Sequence, residues 1–172
     1  MKMTFLWAGA VLAISGGGAL ASNSKVCFEA EKPISIISPL KKVTGKGAVA
    51  SGGGYLEIPW DQNVTKGIGS ATYTFNAPKA GLYYLWARTF WANGCGNSIK
   101  AAVNNTKENS KILGEDGTYD AWHWVGGKAR VTLKAGKNTL VLYNSETGVR
   151  VDQFFLCTDP DYTPVNIRPI TK

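Results

Sequence analysis

The feature that most limits the fold is a repeated one. From Val26 onward, short runs rich in β-branched and aromatic residues recur at close intervals, separated by Gly, Pro, Asn and Lys. Such runs read as strands and such separators as turns. They are VCFEAE (26–31), ISIIS (34–38), YLEIP (55–59), ATYTF (71–75), LYYLWARTF (82–90), SIKAAV (98–103), AWHWV (121–125), ARVTL (129–133), NTLVLY (138–143) and VRVDQFFL (149–156). Nothing here carries the 3.6-residue apolar period of a long helix. The connections APKAG (77–81) and KAGKN (134–138) each place a Gly where a turn needs positive φ. The pattern predicts an all-β domain, a sandwich or a barrel.

Side chains alternate faces along a strand, so each run also predicts its own environment. In ATYTF, Ala71, Tyr73 and Phe75 share one face and the threonines the other, which describes a half-exposed strand. LYYLWARTF is apolar on both faces and belongs in the centre of a sheet. Strict alternation in VRVDQFFL sets Val149, Val151, Gln153 and Phe155 against Arg150, Asp152, Phe154 and Leu156. An Asp152 beside Phe154 and Leu156 requires a metal or an Arg if it is buried, because an unpaired buried carboxylate is costly.

The start of the chain follows another logic. MKMTFLWAGAVLAISGGGALAS has one Lys near the front, an apolar stretch from Met3 to Ile14, and Ala-Leu-Ala ending at Ala21. That layout predicts a secretory signal peptide over 1–21. The stretch is short for a bilayer span, which needs about 20 residues, so no membrane span is expected in the mature chain. A secreted, extracellular or periplasmic domain over 22–164 follows, then an irregular tail over 165–172; TDPDYTPVNIRPITK, with three prolines in fifteen residues, reads as surface without regular structure. The formal net charge is +7, but the lysines are scattered along the sequence. Without a dense basic run, a nucleic-acid partner is not indicated, whereas an acidic polysaccharide is compatible. Three cysteines, Cys27, Cys95 and Cys157, lie in an exported chain, where a disulfide is expected and one thiol is left over. If the first and last strands are neighbours, Cys27 and Cys157 are the pair. Cys95, in the loop NGCGNS (93–98), would then be free for an intermolecular crosslink, a route to self-association.

Catalytic signatures are missing. The one histidine, His123, has no GxSxG, HExxH or Cys-His pattern around it. A glycosidase needs two carboxylates flanking a cleft, and the cluster of Glu115, Asp116 and Asp120 reads as a loop. In YDAWHWVGG (119–127), Trp122 and Trp124 share one face of a strand and His123 points the other way. His123 therefore reads as a surface or packing histidine.

Three segments together carry a resemblance: FEAE (28–31), YTFNAPKAGLYYLWARTFW (73–91) and ETGVRVDQFFLCTDPDYTP (146–164). Their order and spacing resemble the carbohydrate-binding modules of families 6 and 35, over essentially all of residues 26–164. The resemblance implies a jelly-roll β-sandwich of two antiparallel sheets, galactose-binding-like, with the first and last strands paired and Cys27 near Cys157. It implies a structural Ca2+ held by Glu29, Glu31 and Asp152, an oxygen set that suits a hard cation. It further implies a glycan site of stacking aromatics and polar groups drawn from Trp60, Trp91, Asn93, Trp122 and Glu146, at the loop rim or on a sheet face. Trp122 would be the platform and Trp124 core. Where many members carry a sugar-binding Asn, this chain has Arg150, which shifts the expected ligand toward an acidic or differently oriented sugar. The expected function is non-catalytic recognition of a polysaccharide or glycan; the alternative is a structural or adhesive extracellular subunit without sugar affinity.

Overall fold

A computed structural model describes residues 23–45, 49–60, 68–105, 107–114 and 116–171. The expected signal peptide over 1–21 and the acidic Glu115 lie outside the described residues. Among the described residues eleven strands form two antiparallel sheets. They are β1 (Lys25–Glu29), β2 (Ser35–Ile37), β3 (Lys41–Thr44), β4 (Gly54–Ile58), β5 (Ser70–Ala77), β6 (Gly81–Trp91), β7 (Ser98–Val103), β8 (Lys111–Gly114), β9 (Trp122–Leu133), β10 (Gly136–Tyr143) and β11 (Val149–Cys157). One sheet runs β3-β4-β11-β6-β9, with β1 also on β11, and the other runs β2-β5-β10-β7-β8. The sandwich expected from the strand pattern is therefore present. Among the described residues no helix is long and apolar enough to cross a membrane.

The core lies between the sheets. Tyr73, Leu85, Trp91, Leu140 and Phe154 are almost wholly buried there, each large apolar side chain contributing about 1.5–3 kcal/mol by leaving water. The Tyr73 hydroxyl donates to the Ala30 carbonyl at 2.8 Å, so this phenol is buried with its polar end satisfied. LYYLWARTF is indeed central: β6 sits between β11 and β9.

Strand β11 organises its sheet. Its first residues pair with β4 and its last with β1, so β1 and β4 flank one edge of β11 end to end. The first and last strands are neighbours, as expected. Between Val151 and Gln153 the register to β6 shifts, and a bulge of this kind inserts one residue and reverses parity beyond it. Strict alternation thus fails at Asp152. Val149, Val151, Phe154 and Leu156 all enter the core, while Phe155 and Cys157 join a second cluster with Tyr84, Trp86 and Trp124.

Three expectations change. AWHWV and ARVTL are one strand, β9, continuous through Gly126 and Gly127. Gly127 has φ +75°, and a Cβ there would strike the Trp86 ring, so the glycine pair lets the strand cross an irregularity opposite Leu85 and Trp86. Strands β3 and β8 are additional; both are lysine-bearing edge strands, a usual guard on exposed sheet edges. The Cys27–Cys157 disulfide is not formed: both are free buried thiols. Cys27 faces Phe155 and Cys157 faces Lys25, so the cysteines are diagonal neighbours. Diagonal Cα atoms lie about 7–8 Å apart, beyond the reach of an unstrained disulfide. The tail has no regular structure, as expected, and is tied down. The Thr171 amide donates to the Cys27 carbonyl at 3.0 Å, and the Arg168 amide to Gln153 Oε1 at 2.9 Å.

Candidate ligand-binding site

Alternation on β4 buries Leu56 and Ile58 and turns Tyr55 and Glu57 outward. On β6 it buries Thr89 and Trp91 and turns Arg88 and Phe90 outward. Arg150 on β11 and Trp122 at the start of β9 reach the same outer surface. There Trp122 meets Tyr55 and Phe90 edge-on, each ring centroid 5.7 Å away. The Arg150 guanidinium lies over both Tyr55 and Phe90, at 5.4 and 5.1 Å, within cation–π range. Glu57 holds it there, accepting from Arg150 Nε at 3.2 Å, and Lys41 approaches the other Glu57 oxygen at 3.0 Å. Tyr55, Phe90, Trp122 and Arg150, with Val49, Asp120 and Ala121, line a cleft of about 320 Å³. Asp120 is among the lining residues, its amide donating to the Trp91 carbonyl at 2.8 Å. An aromatic wall bordered by a fixed cation and a carboxylate can take a ligand with one weakly apolar face and several hydroxyls.

Of the six residues expected to bind ligand, the fold gathers two, Trp122 and Arg150, in this cleft. Trp91 is fully buried and packs on His123 at 5.6 Å, which withdraws it from any exposed platform. Trp60 is 55% exposed on the loop rim, lying against Gly148. Glu146 is a loop anchor: its carboxylate accepts the Asn97 and Ser98 amides at 2.9 and 2.7 Å. Asn93 closes a local turn by accepting the Cys95 amide at 2.9 Å. Tyr55, Phe90 and Asp120 were not anticipated. Period two in YLEIP does place Tyr55 opposite Leu56, but only sheet pairing shows that it meets Trp122.

YDAWHWVGG resolves differently from expectation at Trp124, while His123 is a packing histidine as expected. Trp124 is not core; it packs edge-on against Phe155 on the outer face, its Nε1 donating to the Asn166 carbonyl at 2.8 Å. His123 points inward at the rim, Nδ1 2.9 Å from the Ala121 carbonyl and Nε2 3.1 Å from Asp116. Among the described residues no hydroxyl or thiol is hydrogen-bonded to it.

A second cluster forms where β1 and β4 meet along β11. Asp152, at the bulge, pairs with Arg88 and accepts the Ser51 amide at 2.8 Å. Ser51 donates its hydroxyl to Glu29 at 2.7 Å and receives Gln153 Nε2 at 3.0 Å. Glu29 Oε2 and both oxygens of Glu31 are buried without a hydrogen-bond partner. Burial pushes the Glu31 carboxyl up to about 6 and raises Glu29 and Asp152 as well. Among the described residues no three acidic, histidine or cysteine side chains are grouped so as to hold a metal ion: the arginine occupies Asp152, leaving Glu29 and Glu31. These two do suit a hard cation, since partnerless buried carboxylate oxygens call for positive charge. Gly52 roofs them at φ +61°, where a Cβ would come 2.7 Å from Glu31 Oε1.

No protein-family model and no curated protein matches the chain in sequence. Solved structures do match in fold. A family 35 carbohydrate-binding module from Clostridium thermocellum is similar over 77% of this chain and 97% of its own, at TM-score 0.58 and 24% identity. The C-terminal CBM6 of a marine laminarinase from Zobellia galactanivorans is similar over 77% of this chain and 98% of its own, at TM-score 0.53 and 19% identity. The GH26-CBM35 β-(1,4)-mannanase of Podospora anserina is similar at TM-score 0.59 and 23% identity over 85% of this chain, which spans only 29% of that enzyme. Two stacked antiparallel sheets, the pairing of first and last strands and these likenesses agree: the chain has the β-sandwich fold of the family 6 and family 35 carbohydrate-binding modules.

Proposed function

We propose that this protein is a secreted, non-catalytic glycan-binding protein whose ligand rests in the outer-face cleft of Tyr55, Phe90, Trp122 and Arg150. The observation that carries this is the presentation of Trp122. It is half-buried, braced by two rings, and bordered by an arginine already fixed by Glu57. A pyranose turns one face of C–H groups to such an aromatic wall, and its hydroxyls take Arg150 and Asp120. Little ordering is needed on binding, because the site is held before the ligand arrives. The solved modules of the same fold support the assignment of ligand class.

Non-catalysis rests on the disposition of the acids. Glu57 is neutralised by Lys41 and Arg150, so among the described residues lining the cleft Asp120 has no second carboxylate with which to complete a glycosidase pair. Calcium belongs to the same proposal as a structural element. Glu29 and Glu31 would hold it, with Asp152 shaping the site through Ser51; the ion supplies charge compensation for buried carboxylates.

Affinity electrophoresis through gels containing neutral and acidic polysaccharides, with and without chelator, tests the function. Retardation by at least one glycan, abolished in Trp122→Ala, is expected. No retardation by any glycan, with discrete oligomers in light scattering, would favour a structural or adhesive subunit instead.

A further inference from the structure

The net charge of the chain has an address that the linear sequence hides. Strands β7, β8, β10 and the second half of β9, with the β7–β8 and β9–β10 connections, carry Lys100, Lys107, Lys111, Lys128, Arg130, Lys134 and Lys137 against one acid, Glu108. Beyond Ala21, the rest of the chain balances, with eleven Lys and Arg against eleven Asp and Glu. All of the excess of that part therefore lies here, although the lysines look scattered in order. Sheet topology gathers them: β10, β7 and β8 are consecutive in one sheet, and β9 is the facing edge of the other.

This surface is hollowed. Between the β7–β8 connection and β9 lies a groove of about 470 Å³, and a neighbouring hollow of about 480 Å³ shares Asn104 and Asn105 with it. Asn109, Ser110, Lys111 and Arg130 line the first together with one acid, Glu108, and Lys134 and Thr139 line the second. Asn104 is fixed at the divide, donating to Asn138 Oδ1 at 2.6 Å and accepting the Thr139 amide at 2.9 Å. Among the described residues no carboxylate pairs with Lys111, Arg130 or Lys134. Strands β7 and β9 both run from the rim toward this end, so the hollows lie at the opposite end of the sandwich from Trp122.

We infer that this basic, amide-lined surface is a second binding site, for an anionic polysaccharide. Lysine and arginine meet the carboxylate or sulfate groups, and carboxamides and hydroxyls meet the sugar hydroxyls between them. Neither hollow is lined by an aromatic side chain, which disfavours single-stranded nucleic acid, whose bases need rings to stack on. The inference does not rest on the aromatic cleft.

The test uses the full mature chain in a Trp122→Ala background, so that the cleft cannot contribute, with and without Lys111→Glu/Arg130→Glu. Isothermal titration at low salt with an oligogalacturonide and with a sulfated dextran oligosaccharide separates carboxylate from sulfate. An uncharged mannan oligosaccharide and oligo-dT of matched length are the controls. Trp122→Ala alone is expected to bind at least one anionic saccharide in a salt-sensitive way, more tightly than oligo-dT, and to ignore the mannan. The double charge reversal should weaken that binding roughly tenfold or more with an unchanged melting temperature. Binding of neither anionic saccharide, equal binding by the charge-reversed protein, or oligo-dT binding as tightly would overturn the inference. Loss of glycan binding confined to the cleft would leave these measurements unaffected.

Discussion

The metal-free protein should lose stability as pH rises from acid toward neutrality, and Glu31 should be a main cause. Its carboxylate is buried, 3% exposed, with neither oxygen partnered. Burial lifts its pKa from 4.5 to about 6. A raised carboxyl pKa means the fold prefers the protonated form. The favourable contribution is full below the ordinary value and is lost as pH climbs through about 6. At 1.36 kcal/mol per unit, this shift corresponds to about 2 kcal/mol, or about 1 once solvent screening near Gly52 is allowed for. Glu29 and Asp152 act in the same direction. The assay is urea denaturation in chelator between about pH 4.5 and pH 7.5, for wild type and Glu31→Gln. Stability relative to Glu31→Gln should fall by about 1–2 kcal/mol across that range. Calcium should reverse the slope, because the ion binds the deprotonated carboxylates. A wild type whose stability tracks Glu31→Gln at every pH would refute the reasoning.

Other consequences follow from single positions. Gly52→Ala forces a side chain onto φ +61° and a Cβ to 2.7 Å from Glu31 Oε1; it should lower stability by about 1–3 kcal/mol and abolish any stabilisation by calcium in thermal melts. Trp91→Ala removes a fully buried ring and should cost about 3–5 kcal/mol in denaturant titration. In the native protein a thiol reagent should label one cysteine of three, the exposed Cys95, since Cys27 and Cys157 are buried and burial pushes the Cys27 thiol up to about 12. Unfolding should release the other two, and a native count of zero or three would contradict the burial described.

The strands were legible because alternation and turn residues carry most of a half-buried sheet's information. Strands KKVT and KILG were not, since edge strands exposed to water need no apolar period. The bulge at Asp152 was invisible for a related reason: a period-two reading cannot register an inserted residue, so it put Phe155 on the wrong face. The same blindness affected the tryptophans. Trp91 and Trp122 each end a run beside a loop, and only the pairing of β6 with β9 shows one buried against His123 and the other standing among Tyr55, Phe90 and Arg150. Glu29 and Glu31 entered only through the resemblance, and their burial without hydrogen-bond partners is visible only in the fold; Asp152 pairs with Arg88, a partner 64 positions away in the chain. Charge clustering over β7–β10 required the sheet order itself.

The central claim is that Trp122, and not the rim tryptophan Trp60, is the stacking platform. Titration calorimetry with the best-retarded neutral glycan, on wild type, Trp122→Ala and Trp60→Ala, tests it most directly. The account predicts a loss of at least about tenfold, about 1.4 kcal/mol, in Trp122→Ala and near wild-type affinity in Trp60→Ala, with melting temperatures of both preserved. Loss in Trp60→Ala with binding intact in Trp122→Ala would contradict it and move the site to the loop rim.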